Sequence, residues 1–185
     1  MRIRTLFTIA AVIVSFTATG AFAQSEKEKK QAEVRAKAEQ TLADFYKAEP
    51  KLKAEVGKAP GYAVFTTFGL SFLIGGAGGK GLVHDAKTKH NTYMELAQAT
   101  AGLQLGAQES RYLFVFKDAK TMQRFIDSGW EAGAEGGAGA GAGKAAAGGT
   151  GGQFTGGTVY SLTKNGFQAG GMVTGTKVWK DKELN

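Results

Sequence analysis

The spacing of apolar residues along the chain changes from a helical period to a strand period near residue 60. Residues 25–47 place apolar side chains every third or fourth position among lysines and glutamates, which predicts an amphipathic helix with one narrow apolar face. Ser25 and Glu28 match a capping box, so the helix is expected to begin at Ser25. Pro50 predicts the start of a second, short helix. The positions expected to face inward are Val34, Ala38, Leu42, Phe45, Leu52 and Val56.

From Tyr62 onwards, apolar residues occur in short runs with period two, separated by polar breaks, which predicts a series of strands. The run "DAKTMQRFIDSG" predicts one intervening helix, capped by Asp118 and stopped by Gly129. In the tail, Asn165-Gly166 is a strong signal for a hairpin turn. Trp130 is expected to pack against the interior. The remaining core candidates are Leu103, Leu105, Tyr112, Phe114, Phe116, Met122, Phe125 and Ile126.

The fold class predicted from these patterns is α+β, with an N-terminal helix packed on an antiparallel sheet and one further short helix. The chain contains 28 glycines, and glycine inside a strand marks tight bending or close approach of another backbone. The sheet is therefore expected to be strongly coiled, in the limit closed like a barrel. Residues 136–152 contain almost only Gly and Ala and are expected to form a mobile loop or a loosely ordered insertion.

The first 23 residues are typical of a secretory signal peptide. Arg2 and Arg4 precede an apolar run, and Ala21-Phe-Ala23 supplies the small residues at which a signal peptidase cleaves. We therefore expect cleavage after Ala23 and an exported, periplasmic protein with possible membrane association, and the alternative is a retained anchor. Residues 24–60 are then an N-terminal helical segment and residues 61–185 a Gly-rich β domain, which forms one domain together with residues 35–60.

Charge and composition narrow the functional classes. The formal net charge is +7, and the chain has no cysteine, which excludes disulfides, thiol catalysis and zinc–thiolate sites. The positive excess is spread along the chain rather than gathered in a basic stripe with interleaved aromatics, so no nucleic-acid partner is expected. A modest positive surface fits an anionic membrane better, at about 1 kcal/mol for each well-placed Lys or Arg.

The stretch "GLSFLIGGAGGKG" at residues 69–81 formally contains the Gly-x-Gly-x-x-Gly pattern of dinucleotide-binding proteins. That pattern requires a helix after the glycines, whereas here a polar segment without a helical stripe follows. Gly75–Gly79 are therefore expected to join two strands, and we predict neither a nucleotide cofactor nor an enzyme. His84 and His90 could seed a metal site, but two solvated histidines in a turn are the simpler interpretation, since no further ligands are evident.

The ordered sequence blocks resemble the SYLF domain family. They are "LADFYKAEPKLKAEVGKAPGYAVF", "GLSFLIGGAGGKGLV", "AGLQLGAQESRYLFVF", "GWEAG" and "NGFQAGGMVTGTKV", and the resemblance covers nearly all of residues 35–180. It implies a lipid-binding domain: eukaryotic members bind phosphoinositides through basic residues, and bacterial exported members are described as lipid-binding proteins of uncertain role. This chain departs from the family in the Gly/Ala content of residues 136–152 and in its mixed Lys/Glu helix.

The function predicted is non-enzymatic binding of anionic phospholipid, or of a membrane surface, in the bacterial cell envelope. The alternative is a structural or stress-related envelope module that binds a protein partner and no lipid. The lipid-contacting residues would lie on hairpin ends and at the C-terminus, where an interfacial tryptophan is favourable. In the simpler interpretation the lysines are merely solvated and the tryptophan is part of the core. The candidates are Lys80, Lys87, Lys89, Lys177, Trp179, Lys180 and Lys182.

Overall fold

The computed structural model describes residues 18–71, 74–101, 106–132, 152–154, 156–163, 166–169 and 176–185. Within these ranges the helices are α1 (Ala18–Ala48), α2 (Leu52–Lys58) and α3 (Ala119–Ser128). The strands are β1 (Gly61–Ser71), β2 (Ile74–Asp85), β3 (Asn91–Ala101), β4 (Gly106–Phe116), β5 (Trp130–Glu131), β6 (Gly152–Phe154), β7 (Gly157–Thr163), β8 (Gly166–Ala169) and β9 (Thr176–Lys180).

The strands form one nine-stranded sheet in the order β5-β9-β3-β2-β1-β4-β7-β6, with β8 paired to β7 beside this path. Every pairing is antiparallel. The four long strands β1 to β4 form its centre, and the helices lie on its two faces. The predicted α+β class with a curled antiparallel sheet is confirmed.

Alternation along the strands divides the side chains between two faces, because directly paired residues point to the same side. We call the face covered by α1 and α2 the helix face, and the opposite face, covered by α3, the inner face. The inner face carries the aromatic core, in which Phe114 contacts Phe65, Phe125, Trp130 and Phe154 at ring-centroid distances of 5.3–5.9 Å. Burial of such rings is the dominant stabilising contribution here.

The predicted core is confirmed wherever the structure describes it. Tyr112, Phe114 and Phe116 are buried, and the half-buried Trp130 packs against the same cluster. On α3, Asp118 accepts a hydrogen bond from the Thr121 backbone nitrogen at 2.7 Å, as an N-cap does. Gly129 follows the helix with a positive φ of 73°. Leu103, Leu105, Asn165 and the segment 136–151 lie outside the described residues.

On the helix face, α1 crosses the central strands and is fixed by both apolar and polar contacts. Phe45 is fully buried, and Leu52 and Val56 of α2 are buried beside it, as predicted. The Thr41 and Thr66 hydroxyl oxygens are hydrogen-bonded at 2.8 Å. Near the end of the helix, Arg111 on β4 donates to a carboxylate of Asp44 at 3.0 Å. These contacts hold α1 over β1, β2 and β4.

The C-terminal residues fold back against the start of α1. Leu184 is buried in the helix-face cluster, and its carbonyl accepts a hydrogen bond from the Gln31 side chain at 2.7 Å. The Lys27 amine donates to the Asn185 carbonyl at 2.8 Å. The Asn185 amide in turn exchanges two hydrogen bonds with the backbone of Tyr93 on β3. The C-terminal residues therefore connect the first half of α1 to β3.

Two predicted boundaries are wrong. The helix begins at Ala18, so Ser25 lies inside α1 and is not its N-cap. This start falls within the predicted leader, and cleavage after Ala23 stays a prediction. Pro50 lies before α2, whose N-cap is Lys51. None of the described helices combines the length and apolar character that crossing a bilayer requires.

Gly75–Gly79 lie inside β2 and do not connect two strands, which corrects the expectation from sequence. β1 ends at Ser71, and β2 begins at Ile74 and continues as a strand to Asp85, so these glycines open no helix of the kind that holds a pyrophosphate. At two positions of this strand, Gly79 and Gly81, glycine is required for steric reasons. A Cβ atom on Gly79 would collide with the carbonyl oxygen of Thr66, and one on Gly81 with that of Val64.

Candidate functional site

Lysines gather at one end of the sheet, which we call the basic end. Here β1 and β3 begin and β2 and β4 end, and Gly61 is paired with Asp85. α2 ends just before β1 and α3 begins just after β4, so both helices add basic residues. The Ala86 backbone nitrogen donates to the Pro60 carbonyl at 2.9 Å, which ties the β2–β3 turn to α2. The lysines of the basic end are Lys58, Lys87, Lys89, Lys117 and Lys120.

The turn between β2 and β3 holds two of these lysines on a fixed backbone. Asp85 Oδ1 accepts hydrogen bonds from the backbone nitrogens of Lys87 at 2.7 Å and Thr88 at 3.0 Å. The Lys89 nitrogen donates to the Asp85 carbonyl at 2.9 Å, and Lys89 itself has a left-handed φ of 59°. The hydrogen bond from the Thr88 amide is the main reason that the pKa of Asp85 is lowered. The carboxylate therefore stays ionised and orders the turn.

The side chains of Lys87 and Lys89 are exposed, and in the ranges that the structure describes neither amine has an anionic partner. Asp85 is occupied by backbone amides of its own turn, and Asp118 by the first turn of α3. Asp85, the acidic residue closest in sequence to both lysines, is therefore directed at the backbone rather than at their amines. The positive field at this end is consequently available to an external anion.

Lys80, by contrast, lies in the middle of the sheet and is already paired. Its amine binds a carboxylate oxygen of Asp181 and, at 3.2 Å, one of Glu95. Burial by itself would lower the pKa of Lys80, but the hydrogen bonds to Asp181 and Glu95 outweigh it and raise that pKa. An anionic lipid would have to displace two carboxylates, so Lys80 is poorly placed as a headgroup ligand.

Of the four candidates on or just after β9, Lys177 and Trp179 have side-chain partners, and Lys180 and Lys182 are described below. Lys177 forms an ion pair with Glu131 at 3.0 Å, across the short β5–β9 pairing. Trp179 is 38% exposed rather than part of the core, and its indole nitrogen donates to Glu95 at 2.8 Å. Lys180 and Lys182 are exposed, and β9 runs so that they lie toward the basic end. The structure brings only this second pair near Lys87 and Lys89.

The histidines of the same region take part in local packing. The His84 ring lies 5.1 Å from the Tyr62 ring, and its Nδ1 is hydrogen-bonded to Asn91 at 2.8 Å. His90 is exposed in the turn. In the described part of the chain, no three carboxylate or imidazole side chains come together as the ligands of a metal ion would.

Comparison with known proteins assigns the family. Residues 97–185 match the Ysc84 (SYLF) family, whose description is "Las17-binding protein actin regulator". The resemblance to the SYLF family that the sequence blocks predicted is therefore confirmed over residues 97–185. Beta cell expansion factor A of Aeromonas veronii is 29% identical over 148 residues, which are 80% of this chain and 56% of that protein. The chain thus spans little more than half the length of this relative.

The matched part of the SYLF domain contains β4, α3 and β9, whereas most of the basic end is assembled from residues before it. Sequence reasoning identified Lys87 and Lys89 but missed Lys58 and Lys120. Both are basic residues at the boundary of a helix next to a central strand, a signal that becomes useful only when the order of the strands is known. It also missed the pairing of Lys80, since Asp181 is 101 residues away.

Asp181→Asn is expected to lower the free energy of unfolding of the SYLF domain by about 1–3 kcal/mol at neutral pH. The Asp181 side chain is 1% exposed; burial opposes its ionisation, but hydrogen bonds from Lys80 and the Glu183 and Leu184 amides lower its pKa below 3.8. Its stabilisation is therefore present above pH about 4 and is lost as the pH falls through the lowered folded-state pKa. Urea unfolding at neutral and acidic pH measures both effects.

The matched control is Asp127→Asn, which removes an exposed carboxylate that accepts a hydrogen bond from Gln123 within its own helix. This variant should unfold at nearly the same urea concentration as the unaltered domain. If Asp181→Asn lost as much stability on acidification as the unaltered domain does, Asp181 would not be the group responsible.

Proposed function

We propose that this protein binds anionic phospholipid membranes without chemical catalysis, through the basic end of its sheet. The observation that carries the proposal is the pair of exposed amines of Lys87 and Lys89 on an ordered turn, which have no anionic partner among the residues that the structure describes. Lys58 at the end of α2 and Lys120 at the start of α3 lie at the same end of the sheet, and Lys180 at the end of β9 and Lys182 just after it lie toward that end. At about 1 kcal/mol for each lysine near an anionic surface, four to six such contacts would give dissociation constants from about 1 mM down to some tens of micromolar.

The shape of this region favours a surface as the partner rather than a small anion. The lysines come from separate elements and point outward around the end of the sheet, whereas a site for one phosphate would have convergent donors. Membership of the SYLF family supports lipid binding as well. With its leader-like first 23 residues, the protein would meet such a surface in the cell envelope after export.

Co-sedimentation with lipid vesicles tests the proposal directly. We expect the chain without residues 1–23 to be retained by vesicles containing phosphatidylglycerol and not by vesicles of phosphatidylcholine alone. Retention should weaken as salt rises from about 0.05 to 0.5 M, because the Debye length shortens over this range. Equal retention on both kinds of vesicle, or on neither, would contradict the proposal.

A second candidate is recognition of a protein partner. It is favoured by the family description, which names Las17 binding and actin regulation, although those words apply to the proteins for which the family was named. The rival and the main proposal differ in what accompanies the protein during purification. Native mass spectrometry of an envelope extract that showed a stoichiometric protein partner and no lipid would favour the rival.

A further inference from the structure

A cleft of about 270 Å³ lies between α1 and the sheet, away from the basic end. We infer that it is a binding site for the acyl chain of a fatty acid. Val34 and Ala38 of α1 form its roof, and Val64 and Thr66 of β1 with the backbone of Gly81 form its floor. The inference goes beyond the surface site proposed above, and each of the two sites can be tested without the other.

The cleft exists because small residues face each other across the interface between helix and sheet. Ala38 contributes only a methyl group from α1, whereas the fully buried Phe45, two turns later, fills the space between helix and sheet. Gly78, which lies next to Lys80 on the helix face of β2, has no side chain to fill the gap. The helix is held at its distance by the contacts of Thr41 and Asp44, so it cannot settle into the gap.

The chemistry of the floor selects an apolar, extended ligand. β1 is paired on both sides, with β2 and with β4, and β2 is paired with β1 and β3. Their backbone donors and acceptors are therefore used by the sheet, and the Thr66 hydroxyl is bonded to Thr41. The Lys80 amine, which also lines the cleft, is engaged by Asp181 and Glu95. A peptide or a sugar would therefore lose its hydrogen bonds to water here without replacement. A hydrocarbon chain has none to lose and gains from burial.

One end of the cleft offers both an exposed aromatic ring and a cation. Phe68 follows Thr66 on the same face of β1 and is 59% exposed. Lys37, which lines the cleft, is 3.8 Å from Glu109, the residue paired with Phe68 across the sheet. Glu109 also accepts a hydrogen bond from Arg111 at 2.8 Å, so it keeps a partner if Lys37 turns to a ligand. Lys37 can thus bind a fatty-acid carboxylate at little cost, while the exposed Glu33 stays in solvent.

Binding of dodecanoate, measured by native mass spectrometry and calorimetry, tests the inference. We expect one dodecanoate per chain. Ala38→Leu should weaken binding by at least about tenfold, because the larger side chain occupies the cleft, and it should leave the thermal midpoint unchanged or higher. Ala36→Leu makes the same change on the exposed side of α1 and should bind as the unaltered protein does. The proposed site would be ruled out if Ala38→Leu bound dodecanoate as tightly as the unaltered protein does, or if the unaltered protein bound none.

A second variant tests the carboxylate end without altering the packing. Lys37→Gln should reduce the preference for dodecanoate over dodecanol by about tenfold while leaving dodecanol binding unchanged. An unaltered preference would rule out Lys37 as the ligand. Glutamate substitutions at Lys87 and Lys89 should leave dodecanoate binding intact. Loss of dodecanoate binding in that variant would contradict two separate sites.

Discussion

Replacing both turn lysines, Lys87→Glu together with Lys89→Glu, is expected to weaken binding to phosphatidylglycerol vesicles by about thirtyfold or more. Two favourable contacts of about 1 kcal/mol each are lost, and two repulsive charges take their places. Both side chains are exposed and lack anionic partners in the described ranges, so the substitution should leave folding intact. Vesicle co-sedimentation with a range of lipid concentrations measures the change in partition coefficient.

Two controls separate location from total charge. Lys87→Arg with Lys89→Arg keeps the charge on the same turn and should retain binding within about threefold. Lys177→Glu reverses a charge that is already engaged by Glu131, so its effect should be much smaller than that of the turn pair. A third variant, Lys87→Glu alone, changes the net charge by the same amount as Lys177→Glu. Equal losses of binding for these two single variants would mean that net charge, and not the basic end, governs binding.

Gly81→Ala should destabilise the fold by about 1–3 kcal/mol, because its new methyl group would collide with the carbonyl oxygen of Val64 and with the Phe65 ring. Gly79→Ala should act in the same way against the backbone of Thr66. Both collisions involve the backbone of a paired strand, which cannot move aside as a flexible side chain would. Chemical denaturation followed by circular dichroism measures the loss.

Gly78→Ala is the matched control in the same strand. An added Cβ atom there would approach nothing closer than the Leu96 carbonyl oxygen, at 4.0 Å. This variant should be neutral or stabilising by up to about 1 kcal/mol, because alanine loses less backbone entropy than glycine on folding. A uniform loss across residues 78, 79 and 81 would show that glycine content, and not contact between β1 and β2, is what matters.

Sequence patterns predicted correctly those elements that are specified by residues close to one another in the chain. The Asp118 cap, the buried stripe of α3 and the alternation through Tyr112, Phe114 and Phe116 all depend on side chains within a few positions of one another. Boundaries were harder where glycines replaced the apolar half of the alternation. In Gly75–Gly79 the period of two disappears, so a continuous strand resembled a connection.

The site was predictable in type but not in detail. Lysines on hairpin ends were an accessible signal, and four of the seven candidates, Lys87, Lys89, Lys180 and Lys182, lie at or toward the basic end. The states of the others depend on partners distant in sequence: Lys80 on Asp181, Lys177 on Glu131, and Trp179 on Glu95. Periodicity contains no information about such cross-sheet pairs until the strand order is known. The same is true of the cleft, which exists only once α1 is placed over β1.

The attachment of Leu184 and Asn185 to Lys27, Gln31 and Tyr93 has a consequence for motion. The first half of α1 cannot swing away as a free arm, since its departure would also expose Leu184 and break the bonds of Asn185 with β3. Helix and tail therefore form one cooperative unit, whose amides should show a common free energy of opening in hydrogen exchange. A ligand that enters between α1 and the sheet would therefore meet a helix that is held both by the central strands and by the C-terminal residues.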